Sequence, residues 1–210
     1  AASDVYKRQS YPELFSFAER RLTELGVFRP TSVYRMFVDE EQKQKGRRRA
    51  AEPAYAPFIE RLTAGQGELD AGLTDALGGV LMRGAWVDLQ KLLADERARL
   101  EAEGALVVAE FTPAEVQVQA DGLVWRNVHA RGVVYCDGYK SALRGPFRHL
   151  PWQPAKGEAL SLRSDAPQKP FILNREGWAL PLGHGRWRTG TNWSWDQWDE
   201  VPTEGQREKL

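Results

Sequence analysis

Apolar positions keep a helical period near the start of the chain, mix helix and strand spacing through the middle, and keep strand spacing alone after Leu150. Ser10 and Glu13 have capping-box spacing, and Leu14, Ala18, Leu22 and Leu25 then recur on one helical face until Gly26. SVYRMFV (32–38) has the length and composition of a strand, and Asp39 to Ala51 reads as a charged helix whose Arg47–Arg49 run faces solvent. The stretch 53–62 predicts a short helix begun near Pro57, followed by a loop over 64–73. GGVLMRGAWV (78–87) predicts a strand, and a helix follows with Leu89, Leu92, Leu93 and Leu100 on one stripe, Asp88 at its start and Gly104 at its end.

Next come a short buried strand (105–111), a hairpin over 115–130 turning at Asp121-Gly122, and a second buried strand (131–138) meeting a glycine turn. Past LPWQP, the runs 156–164, 169–174, 177–182 and 186–193 are separated by Asp/Pro, Glu-Gly and Gly-His-Gly breaks. Hairpin-connected antiparallel sheet is the expected result. Asp196, Asp199 and Glu200 read as an acidic turn ahead of a helix start. Residues 1–9 fit no pattern that follows and read as a non-native, adapter-like tail, and both ends of the sequence read as cut.

Composition narrows the class. With 210 residues, 42% hydrophobic and 28% charged, the chain is ordinary globular material, one large domain or two small ones. Its 29 basic and 29 acidic side chains balance, which argues against a generally basic nucleic-acid binder. No apolar run is long enough for a membrane span and no signal-peptide core opens the chain. Cys136 is the only cysteine, so neither an intrachain disulfide nor a cysteine-rich zinc site can form, and a cytoplasmic setting is expected. As a lone thiol with no histidine near in sequence, Cys136 is expected to be buried. The histidines are scattered without ligand spacing, and no metal is expected. Trp178, Trp187, Trp193, Trp195 and Trp198 crowd the C-terminal part.

The order helix, short strand, polar hairpin, second strand ending in glycine is the informative unit of 87–138. A glycine at a strand's carboxyl end lets main chain approach a ligand at a sheet edge. The segment from GAWVDLQKLL to GVVYCDGYKS resembles the middle of the flavin-dependent amine and amino-acid oxidoreductases, the group of glycine oxidase, sarcosine oxidase and D-amino-acid oxidase. Val133-Val134-Tyr135-Cys136-Asp137-Gly138-Tyr139-Lys140-Ser141 stands where that family has a V-V-x-A-x-G-x-W-S motif. LPWQPAKGEALSL, with Lys156-Gly157, and GHGRWRTGTNWSWDQWD resemble the strands that follow. The likeness is good over 84–200 and loose over 10–83.

The resemblance implies an α/β chain with an α+β substrate domain: a partial, Rossmann-like FAD-binding sheet plus a mainly antiparallel sheet. It divides the chain into substrate-domain parts at 10–83 and 150–210, with 84–149 as a returning piece of the FAD-binding domain. It implies FAD as cofactor and a small-molecule amine or amino acid as substrate, with no membrane or nucleic-acid partner. Phe111 would lie at the adenine end, Cys136, Asp137, Gly138 and Tyr139 in the turn approaching FAD, and Trp178 at the substrate pocket. No residue is implied as catalytic acid or base. The family's strongest motif, G-x-G-x-x-G, does not occur here, because Gly183-His184-Gly185 is followed by Arg-Trp-Arg. The chain is therefore expected to be an internal fragment, with the cofactor's main anchor elsewhere. The alternative is a non-catalytic, tryptophan-rich binding module for a carbohydrate or a protein partner.

Overall fold

A computed structural model describes residues 2–144, 146–195 and 197–208, so Ala1 and Asp196, both part of sequence expectations above, lie outside the described residues. Among the described residues, ten strands fall into two sheets. The larger contains β1 (Phe28–Met36), β2 (Ile59–Thr63), β3 (Gly79–Val87), β7 (Ala155–Arg163), β8 (Phe171–Arg175), β9 (Gly177–Gly183) and β10 (Arg186–Trp195), in the order β2-β3-β1-β8-β9-β10-β7. The smaller is a meander of β4 (Gln117–Gln119), β5 (Gly122–Trp125) and β6 (Val128–Ala130). The helices are α1 (Ala2–Glu24), α2 (Glu40–Ala50), α3 (Leu89–Ala102), α4 (Lys140–Arg144) and α5 (Glu204–Arg207).

The C-terminal strands are antiparallel as expected, and the 115–130 meander forms a separate sheet. The β9–β10 turn shows why Gly-His-Gly makes a tight break. His184 and Gly185 both have positive φ, 53° and 71°, as a two-residue hairpin loop matched to strand twist requires. The seven-stranded sheet joins the two ends of the chain through one parallel pairing, β1 to β8, with Ser32 opposite Phe171 and Tyr34 opposite Leu173. Around this junction lies the core: Tyr34 and Val27 are fully buried, with Phe37, Val80, Phe171 and Trp187 nearly so. The Tyr34 and Phe171 rings meet edge-on at 5.9 Å.

Several local expectations are corrected. Helix α1 runs unbroken through Ser10, so no cap forms there, even though Pro12 within it cannot donate a helical hydrogen bond. Its inward residues are Phe15, Ala18, Leu22 and Leu25, while Leu14 points outward at 60% exposure. The helix expected over 53–62 is a single 3-10 turn at Ala56–Phe58 followed by β2, which gains its ladder from β3. Helix α3 forms between Asp88, whose carboxylate accepts the Lys91 N–H at 3.0 Å, and Gly104. Its stripe is not buried, however: Leu89 and Leu93 remain exposed. The half of the hairpin after Gly122 folds back again at Arg126 (φ 54°), giving three strands in place of two.

The largest difference concerns 105–111 and 131–138, which have no regular secondary structure and belong to no sheet. A strand exists only with a neighbour to take its N–H and C=O groups, and no described strand lies beside either segment. Val107, Val108 and Val134 are exposed as a result. For the same reason Cys136, expected to be buried, is exposed.

Candidate functional site

The two unpaired segments still come together. Phe111 meets the Trp125 ring at 5.3 Å and the Tyr135 ring at 5.9 Å, and Tyr135 meets Phe147 edge-on at 5.4 Å. This aromatic row ties the small sheet to both segments. Beside it opens a cleft of about 680 Å³, with Phe111, Val134, Tyr135, Cys136, Asp137 and Lys140 in its lining. Phe111, Cys136 and Asp137, which the sequence separates by about 25 positions, thus share one cleft. Tyr135 was not singled out in the sequence. Its neighbours in the row, Phe111 and Phe147, lie 24 residues before it and 12 after it in the chain, and nothing in their spacing joins them.

Beyond Asp137 the chain turns. The Asp137 carboxylate accepts the hydroxyl of buried Ser141, and the Ser141 N–H reaches the Gly138 carbonyl at 3.2 Å. Gly138 has φ 59°, and a Cβ there would meet nothing within 4 Å, so its backbone angle is what asks for glycine. Tyr139 points the other way. Its hydroxyl donates to Glu200 at 2.9 Å and lines a second cleft of about 550 Å³. The turn at 137–141 is therefore a wall between two clefts.

Lys156 organises the second cleft. Its ammonium, on a side chain only 8% exposed, lies 2.7 Å from Asp199 Oδ1 and 3.7 Å from Glu158 Oε1, and also donates to the Val201 carbonyl. Glu158 Oε2 accepts the Thr203 N–H at 2.8 Å, while Glu158 Oε1 is buried with only the Lys156 charge opposite it. These contacts strap residues 197–207 onto β7. Asp199 was expected to serve a helix start, but α5 begins only at Glu204; its role is the Lys156 pair and the Val201 N–H at 2.9 Å.

Both carboxyls are held below their usual range. For Asp199 the cause is first Lys156 and then the Val201 N–H; for Glu158 it is first the Thr203 N–H, then the Thr203 hydroxyl, with Lys156 after them. A lowered carboxylate stabilises the fold above the unfolded pKa and loses that contribution as pH falls through the folded one. The strap should therefore loosen below about pH 4. Protection from hydrogen exchange over 197–207, relative to the intrinsic rate at each pH, is expected to fall there, with Trp198 emission moving to the red. Unchanged protection near pH 2 would show that the ion pairs do not hold the strap.

Trp178 lies on β9 of the large sheet, half-buried, with Gly190 of β10 beneath it: a Cβ at Gly190 would come within 3.1 Å of the ring. The Thr189 hydroxyl donates to the Trp178 carbonyl at 2.7 Å. Its surroundings are a shallow depression of about 380 Å³ with Met36, Leu173, Arg175 and Asn192. This lining shares no residue with the Phe111–Asp137 cleft.

The cofactor implied by the resemblance can be tested against these groups. A flat heterocycle fits the first cleft, whose aromatic row offers a face and whose main chain outside any sheet offers a polar edge. A pyrophosphate finds less: among the described residues Lys140 is the only cation of that lining, and Glu110 and Asp137 share it.

No protein-family model matches the sequence. Among solved structures, glycine oxidase from Geobacillus kaustophilus is similar over 98% of this chain and 59% of that one, with TM-score 0.70 and 18% identity. This chain shares the fold of that part of the structure. Glycine oxidase from Bacillus cereus ATCC 14579 is likewise similar over 97% of this chain and 60% of its own, with TM-score 0.62 and 16% identity. The mixed α/β architecture expected from the sequence is thus shared with known oxidoreductases, and the chain spans 59% and 60% of their lengths. Among the described residues, no helix is long and apolar enough to cross a membrane.

Proposed function

We propose that the chain is part of a cytoplasmic, FAD-dependent oxidoreductase that oxidises the C–N bond of a small amine or amino acid. The supporting observation is the likeness to two glycine oxidases across 97% and 98% of the chain. In this reading Phe111 and Tyr135 flank the adenine end of FAD, and the 136–139 turn approaches the cofactor with its main chain. When bound, the flavin accepts the electron pair from the substrate. The chain's own residues bind and orient. Trp178, held by Gly190 beneath it, presents an aromatic wall to the substrate's apolar part, and Arg175 beside it is a cation within reach of a carboxylate. The fingerprint that grips the pyrophosphate would belong to a part of the protein outside these residues.

The test is a hybrid in which this chain replaces the matching portion of Geobacillus kaustophilus glycine oxidase. The expected product is yellow and loses its flavin absorption anaerobically on addition of an amine or amino acid. A hybrid that folds but stays colourless, or that no amine bleaches, would sink the reading.

A second reading has an observation of its own. Trp193 and Trp195 alternate on β10, are 62% and 60% exposed, and stand opposite Gly157 and Ala155 of β7. Two exposed indoles over small neighbours form a surface on which a sugar ring or a partner could stack. Saturable oligosaccharide binding lost in Trp193→Ala, together with a colourless hybrid, would favour this non-catalytic module.

A further inference from the structure

Between α1, α2, the 55–58 turn and strands β1 and β3 lies a cleft of about 540 Å³ that neither reading uses. Its floor is apolar: Phe37 and Val80 are each 5% exposed, and Val33, Phe58 and Phe15 are half-buried around them. The Phe15 and Phe58 rings meet edge-on at 5.3 Å, and Tyr55 closes one side. Its volume is that of a small-molecule site.

The rim is what gives the cleft a preference. Arg35, Lys45, Arg49 and Arg83 line it, and among the described residues no aspartate or glutamate does. In a chain whose charges balance overall, this is a local excess. Arg83 is neutralised by Glu19, with Oε2 at 2.6 Å. Arg35, Lys45 and Arg49 have no ion-pair partner among the described residues; Arg49 only lies over the Tyr55 ring at 5.7 Å. A cationic last turn suits a helix dipole, which accounts for Arg47 and Arg48 on the outside of α2. The dipole favours Arg49 too, but not Lys45, which lies one turn earlier; the two stand four apart in the lining that they share with Arg35. Like charges at that spacing repel, and nothing in the lining relieves them.

We propose that this cleft binds a small organic anion carrying an aromatic ring, with the anionic group among Arg35, Lys45 and Arg49 and the ring against Phe37, Tyr55 and Phe58. The anion relieves the repulsion, and the ring covers the apolar floor. Neither part suffices alone. A bare anion leaves the floor wet, and a neutral ring leaves the cations unpaired. Helix α2 fixes the spacing because it rests on Phe37 through Gly46: a Cβ there would come within 2.5 Å of the ring.

The probe is phenyl phosphate, titrated calorimetrically into the 210-residue chain at low salt and compared with inorganic phosphate and benzyl alcohol. Phenyl phosphate should bind at least about tenfold more tightly than either, and its affinity should fall as salt screens the rim. Arg35→Gln and Arg49→Gln should each weaken it by about tenfold, and Lys45→Glu should abolish it, because it puts a carboxylate among the cations. All three positions are exposed, so the fold is expected to survive. A measurement without variants accompanies these: phenyl phosphate should protect Arg35 and Arg49 from phenylglyoxal, read by mass spectrometry. Equal affinity for phosphate alone, full binding by folded Lys45→Glu, or absence of protection would each overturn the proposal.

Discussion

Replacing Asp75 by alanine should destabilise the chain by about 2–4 kcal/mol. Asp75 is 3% exposed, and its carboxylate accepts the Tyr34 hydroxyl at 2.5 Å and the Gly67 N–H at 2.7 Å. Tyr34 is fully buried and also shares a hydrogen bond with the buried Thr63 hydroxyl at 2.7 Å, which in turn accepts the Gly79 N–H at 2.9 Å. These groups close the 64–78 loop over the end of β1. Removing the carboxylate strips the part-buried Gly67 N–H of its partner and leaves the buried Tyr34 hydroxyl with Thr63 alone, so two hydrogen bonds to a charged group are lost at once, which is why the expected loss exceeds that of an ordinary hydrogen bond.

Tyr34→Phe keeps the ring against Phe171 and loses only the hydroxyl, so about 1–2 kcal/mol is expected. Because both residues belong to one network, the double variant should lose less than the sum. The pH dependence supplies a second check. Burial first, and then the hydrogen bond to Asp75, push the Tyr34 hydroxyl up to about 12. An unfolded tyrosine releases its proton near about pH 10. Between these values the folded chain binds the extra proton, so stability falls as pH rises. The stability difference between the native sequence and Tyr34→Phe should therefore be full below about pH 10 and shrink towards pH 12. A difference that stays constant in denaturant titrations across that range would show that the hydroxyl contributes nothing as a buried donor.

The second large effect concerns the flavin. The 210-residue chain should purify colourless and bind FAD with a Kd weaker than about 10 μM, since tight binding in such folds rests on a glycine-rich turn and a helix N-terminus at the pyrophosphate. What the first cleft offers instead is the aromatic row at Phe111 and Tyr135 and the unpaired main chain of 105–111 and 131–138. That should suffice for weak, saturable binding of the adenine end. Phe111→Ala should weaken it further by about fivefold through the lost ring contact. Lys45→Glu, in another cleft, should leave it unchanged. Flavin fluorescence during titration reads all three. Stoichiometric tight binding would mean that a pyrophosphate anchor exists among these residues after all. No saturation up to millimolar FAD would remove Phe111, Cys136, Asp137, Gly138 and Tyr139 from the cofactor's contacts.

Some of this architecture is determined by the sequence alone. Elements whose signal is local are legible: α2 behind Asp39, α3 between Asp88 and Gly104, the C-terminal strands between their turns, and the Gly-His-Gly hairpin. Caps, breakers and two-residue turns act within a few positions, so reading the chain in order finds them. The order of elements over 87–138 also carries the family resemblance, and with it the mixed α/β fold. What the sequence could not decide is which surfaces meet. The parallel β1–β8 pairing joins residues about 140 apart, and no local pattern records it. Whether a segment becomes a strand depends on a partner: Ile59–Thr63 became one because β3 lay beside it, while 105–111 and 131–138 did not. Phe15 in place of Leu14, the Lys156 strap over β7, and the cluster of Arg35, Lys45 and Arg49 all follow from packing between distant segments. Local propensity is set by neighbours in the chain. Burial and charge pairing are set by neighbours in space, and only the tertiary structure supplies those.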